Sequence, residues 1–250
     1  HWMVHSFPTR RSSDLVCQAA CEQHPDAAEP WLSLADIHAG NGDHDSARSC
    51  LEQGLNALAG TAQKRSLSLR LALLDLQQGE RAAGIRVLRD LAAQDANDVR
   101  VRSLLLGIPE IQQDKATAEG LLQELQKAEG ESGLWWRFYK ASLLLAGDDW
   151  RSRQQEVADL LQQVITADPH WSAPVLLLVS MYERLEDFRR VEDTCQQALV
   201  RNPSAIEIAD RLLVLLERQG RFSEVDKVLR QVQADARVTR LWKVRLALRA

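Results

Sequence analysis

Two prolines 34 residues apart, Pro169 and Pro203, bracket the stretch that constrains this chain most. Between them run two apolar-periodic segments joined by a short polar turn. Apolar residues recurring at three- and four-residue intervals give one buried face per helix, so the stretch predicts a helical hairpin. The same spacing holds to either side. Steps of 34 lead from Gly79 to Gln113 to Gly147, and from Glu186 to Gly220. Two insertions interrupt it, one at residues 60–63 and one at residues 148–152. A period of this length means that each unit cannot bury its own apolar face and must stack on its neighbours.

The first full hairpin carries Trp31, Leu34, Ala35 and His38, a Gly40-Asn41-Gly42-Asp43 turn, then Ala47, Leu51, Gly54 and Leu55. Trp-x2-Leu-Ala-x2-His followed by Ala-x3-Leu is similar to the tetratricopeptide repeat pattern. The second hairpin places Leu71, Ala72 and Leu88 on that pattern, with Gly84 at the close-packing alanine position. The third is degenerate: Leu105 and Leu106 fit, but Pro109 stands where the aromatic belongs and should end the helix early. The fourth opens with Trp135-Trp136 and has Lys140 where a small residue is expected, which fixes its register only to within one residue. The fifth is the opening stretch, with Tyr182, Phe188, Val191, Cys195 and Ala198; the sixth has Leu212, Leu213, Phe222, Val225 and Leu229. Tyr182, Phe188 and Phe222 are expected to fill gaps between hairpins, and Trp31, Trp135, Trp136 and Trp242 to pack in the core.

The resemblance implies an all-α, right-handed α-solenoid of antiparallel helix pairs, about five full repeats plus a half repeat at each end. Hairpins are expected near 28–59, 65–96, 99–130, 133–169, 172–203 and 206–237, with partial ones at 16–25 and 240–250. Both ends cut through a hairpin, so the chain is expected to be an internal fragment of a longer array. Residues 5–15, HSFPTRRSSDL, resemble the translation of a short-read sequencing adapter, and residues 1–15 are therefore expected to be non-native.

Composition narrows the function. The charged residues nearly balance at a net −4, with no basic stripe or arm, which argues against nucleic acid. The longest apolar run, 174–179, is far shorter than the ~20 residues of a membrane span. No GxSxG, GxxxxGK[ST], HExxH or GxGxxG motif occurs. His38 and His44 lack a third ligand and are expected to pack; the Glu183-Arg184 and Glu217-Arg218 pairs suit a solvated helix face better than catalysis. Cys17, Cys21, Cys50 and Cys195 include no CxxC and are expected to be buried thiols. No metal and no cofactor is expected.

In tetratricopeptide proteins the first helices of the hairpins line a surface that holds peptide segments. Carried over by position, the lining residues would be Leu32, Asp36, Leu69, Leu73, Leu76, Arg137, Leu144, Leu176, Ser180, Glu183, Arg184, Asp210, Val214, Glu217 and Arg218. The Lys and Asn clamp of the family's carboxylate-tail binders is missing, since Leu32 with Asp36 and Leu69 with Leu73 occupy its places. The expectation is thus a non-catalytic scaffold, from a large bacterial repeat protein, that binds an apolar or amphipathic protein segment. The alternative is an accessory region of a multidomain envelope-assembly or polysaccharide-export protein; a helical-repeat enzyme or RNA binder ranks below both. Localisation defaults to the cytoplasm, with envelope association as the alternative.

Overall fold

A computed structural model describes residues 10–231 of the chain. The partial hairpin expected at 240–250, Trp242 included, lies outside the described residues, as do residues 5–9. Among the described residues there are fourteen α-helices and no strand. They fall into two compact units that divide between Ile108 and Pro109.

The first unit holds α1 (Arg10–Gln23), α2 (Ala28–Gly40), α3 (His44–Ala57), α4 (Thr61–Gln78), α5 (Arg81–Gln94) and α6 (Val99–Leu106). Helix α1 thus continues six residues upstream of Val16. The insertion at 60–63 becomes an early start of α4 rather than a loop. Each helix packs on the next in sequence, and α4 also packs on α2. The core joins Cys21 of α1, Leu34 and Ala35 of α2, Ala47, Cys50 and Leu51 of α3, and Leu67 and Leu74 of α4. Gly54 allows the closest approach there: a Cβ on it would stand 2.8 Å from Trp31 Cγ and 3.0 Å from Leu67 Cδ1. At the end of the unit the buried guanidinium of Arg102 donates to the carbonyls of Ala92, Asp95 and Asp98, so its burial is satisfied by helix-terminal oxygens.

The second unit holds α7 (Pro109–Gln113), α8 (Lys115–Glu129), α9 (Trp135–Ala146), α10 (Gln154–Ala167), α11 (Ser172–Arg184), α12 (Phe188–Arg201), α13 (Ile206–Arg218) and α14 (Phe222–Gln231). Proline is tolerated only in a first turn, so α6 stops at Leu106 and Pro109 opens a new short helix, as its position predicts. Successive helices pack pairwise, and the first helices also meet one another, α9 with α11 and α11 with α13.

Several second helices start from an aspartate cap. The side chains of Asp43, Asp114 and Asp187 accept from the backbone N–H three residues on. The turns before α3, α5 and α14 use Gly42, Gly79 and Gly220 at positive φ; the equivalent turn before α12 places Glu186 there, at φ 57°.

Three expectations are corrected. Phe188 and Phe222 do not fill gaps between hairpins: they are 45% and 43% exposed, because each opens its helix and precedes the buried stripe by a turn. Trp135 is not a core residue but is 39% exposed, while Trp136 and Tyr139 are buried. The small residue of the fourth hairpin is Ala141, wholly buried, and Lys140 turns instead to Glu156 on α10 at 2.9 Å. Trp150, in the 148–152 insertion, is buried under the Arg184 guanidinium at 4.1 Å, so it closes a longer loop over the hairpin.

Candidate functional site

No group of three or more His, Cys, Asp or Glu that could hold a metal occurs among the described residues, and no helix among them is long and apolar enough to cross a membrane. His38 Nδ1 stands 4.0 Å from Asp43, and His44 Nδ1 is buried without a partner. The candidate surface is the face of the first helices, which is built separately in each unit.

In the first unit this face belongs to α2 and α4. Leu32 is half-buried and packs against the core. Asp36 is exposed and accepts from Arg70 Nε of α4 at 2.5 Å, which ties the two first helices together. Leu69 and Leu73 are half-buried aliphatics on α4. Leu76 turns toward the partner helix α5, where a Cβ on Gly84 would meet its Cγ at 2.9 Å.

In the second unit the face belongs to α9, α11 and α13. Leu144, Leu176 and Val214 are half-buried, and Ser180 donates back to the Leu177 carbonyl. Glu183 pairs across the α11–α13 seam with Arg211 at 3.6 Å. Asp210 and Arg218 are exposed on α13. Arg184 is not a freely projecting lining residue: it donates to the Leu145 carbonyl at 2.8 Å and stacks on Trp150. Glu217 is 4% exposed, folded into the helix packing rather than toward solvent. Arg137 lies over Trp136 at 4.5 Å and donates to Gln163 on α10 and to the carbonyls of Gly133 and Glu131.

The α9–α11 seam is aromatic. Trp171, just before α11, meets Trp135 at 4.3 Å and Phe138 at 4.9 Å between ring centroids, and Tyr139 supports both residues of α9 from beneath.

No protein-family model matches the chain, and no curated protein matches it. Solved structures do. Yeast Tom70 superposes with a TM-score of 0.64 at 12% identity, over 92% of this chain and 47% of that one. A chain of the APC/C hetero-tetramer Cut9-Hcn1 gives 0.62 at 13% identity, over 94% and 46%. A tetratricopeptide repeat protein from Parabacteroides merdae gives 0.55 at 9% identity, over 88% and 86%. The fold is the tetratricopeptide repeat solenoid. The chain spans less than half the length of the first two of these neighbours.

Within the tetratricopeptide fold the one-residue shift at Ala141 matters for the site. It leaves Trp135 exposed and Phe138 half-buried on α9, and makes Arg137 a fastener between the hairpin's two helices. Sequence reasoning missed Phe138 and Trp171 as face residues, and Arg70 and Arg211 as their polar counterparts. The 34-residue separation of Asp36 and Arg70 was the available signal for one of these pairs.

Proposed function

We propose that this chain is a non-catalytic interaction scaffold that holds a segment of another protein against the first-helix face. The observation that carries the reading is the continuity of that face within each unit. Half-buried aliphatics (Leu69 and Leu73; Leu176 and Val214) stand beside inter-helix ion pairs, Asp36 with Arg70 and Glu183 with Arg211. An apolar stripe with a polar edge suits an amphipathic guest: the stripe takes up the guest's apolar side and the rim fixes its direction. One similar structure comes from a hetero-tetramer, which is consistent with this use of the fold.

The test is affinity capture with the full chain, compared with a Leu69→Asp/Leu73→Asp variant and a Leu176→Asp variant. These positions are half-buried rather than core, so the variants should retain their helical signal. Selective loss of one captured protein in either variant is the expected result. Identical recovery from all three forms would remove the first-helix face as the binding surface.

A further inference from the structure

We propose that the aromatic seam between α9 and α11 is a stacking platform for arginine side chains of the bound segment. This rests on the reading of the first-helix face as the partner surface and names the chemistry of its occupant.

Trp171 contacts both Trp135 and Phe138, and Trp135 keeps 39% of its surface exposed. The rings tilt at 48° and 47° with centroids under 5 Å apart, so nothing ring-sized enters between them. A ligand must lie on the outer faces. Indole faces carry negative electrostatic potential, and a planar guanidinium both stacks on them and is attracted by them. The chain itself uses this contact repeatedly. Arg137 covers Trp136 at 4.5 Å, Arg184 covers Trp150 at 4.1 Å and Arg190 covers Tyr182 at 4.7 Å. Among the described residues no guanidinium covers Trp135 or Trp171.

Charge around the platform has the matching sign. Glu129 ends α8 with its carboxylate on the Trp135 and Trp136 backbone N–H groups at 3.2 and 2.7 Å. Glu131 is exposed in the connection that leads to Trp135, and the Asp168 carboxylate accepts the His170 backbone N–H at 3.1 Å, one residue before Trp171. The nearby guanidinium of Arg137, on α9, is committed to carbonyls and Gln163. The Glu129 carboxylate therefore stands at the start of α9 beside the stacking surface, with the exposed Glu131 two residues on.

The test titrates the full chain with the peptide acetyl-GRGGRG-amide and with its citrulline, lysine and proline counterparts, following the indole N–H signals of Trp135 and Trp171 by NMR. The arginine peptide should shift both signals. Citrulline, equal in shape but uncharged, should not, and lysine should bind more weakly. Trp135→Ala should weaken arginine binding by about tenfold and Glu131→Gln by several-fold, the latter fading as salt rises. Glu131→Gln and the citrulline peptide leave the rings intact, so they decide the matter even if Trp135→Ala unfolds. Absence of a shift, equal binding of citrulline, or tighter binding of the proline peptide would overturn the proposal. If the arginine peptide fails while Leu176→Asp still abolishes capture, the platform falls and the scaffold reading stands. If the peptide binds while capture survives Leu176→Asp, the platform stands without it.

Discussion

Arg70 donates from Nε to the Asp36 carboxylate at 2.5 Å across 34 residues, joining α4 to α2 at the period of the repeat. The Asp36 side chain is 58% exposed, so water screens the pair and ordering two side chains offsets much of the attraction. A double-mutant cycle with Asp36→Asn and Arg70→Met should give a coupling of about 0.5 kcal/mol that shrinks with salt. The pair between Arg48 and Asp75 differs in kind, because the Asp75 side chain is 4% exposed. Arg48→Met leaves that carboxylate buried without its cation and should cost about 3 kcal/mol. Equal urea midpoints for the two single variants would mean that burial does not separate these pairs.

Glu186 occupies the turn position that Gly42, Gly79 and Gly220 fill elsewhere, all at positive φ. A side chain there strains the backbone even in open space, and nothing lies within 4 Å of a Cβ on the three glycines. Glu186→Gly should therefore stabilise by about 1 kcal/mol, and Gly220→Ala should destabilise by a similar amount. Thermal unfolding of the two variants checks the signs; a loss of stability in Glu186→Gly would contradict the strain.

Glycines inside helices separate in the same way. A Cβ on Gly84 of α5 would meet the backbone oxygen of Ala72 at 2.8 Å, whereas one on Gly120 of α8 would meet nothing within 4 Å. Alanine gains about 1 kcal/mol of helix propensity at either site. Overpacking against an oxygen that cannot swing aside costs about 1–3 kcal/mol, so Gly84→Ala should come out neutral to destabilising and Gly120→Ala stabilising by about 1 kcal/mol. Denaturant midpoints that move together would argue against close packing at Gly84.

Helix pairing was legible because the 34-residue period and the apolar stripes are local signals that repeat. The site was less so. In α9, WWRFYKASLLLA, bulky or apolar residues point in every direction, and two registers fit equally well until Lys140 reaches Glu156 and Ala141 is buried. Trp171 precedes its helix, so periodicity says nothing of it; it joins the site only because α11 packs beside α9. Arg184 and Glu217 looked like surface charges by position. What draws Arg184 in is tertiary, a Leu145 carbonyl and the Trp150 ring, and Glu217 is 4% exposed.

Thiol reactivity should divide by burial. Burial pushes the thiols of Cys50 and Cys195 up to about 12 and also raises that of Cys21, so little thiolate forms near neutrality. Cys17 is only half-buried. A disulfide-exchange reagent at pH 8 should modify Cys17 alone in the native chain, with the other three following on unfolding. Rapid native modification of Cys195 would contradict the packing of α12.

Acid should weaken the fold through its helix caps. At Asp187 the Arg190 backbone N–H, then its guanidinium, hold the carboxyl below the usual aspartate range; at Asp43 the Ser46 hydroxyl and backbone N–H do the same. Both groups thus bind protons less readily folded than unfolded. Their stabilisation is complete above the unfolded aspartate value of about 3.9 and is lost as pH falls through the lower folded values. Asn at both positions keeps a cap acceptor but removes the titration. The Asp43→Asn/Asp187→Asn variant should be somewhat less stable than the native chain at pH 7 and should lose less as the pH drops toward 3. The two urea-midpoint curves should therefore converge at low pH; curves that stay parallel from pH 7 to pH 3 would mean that these caps act through geometry alone.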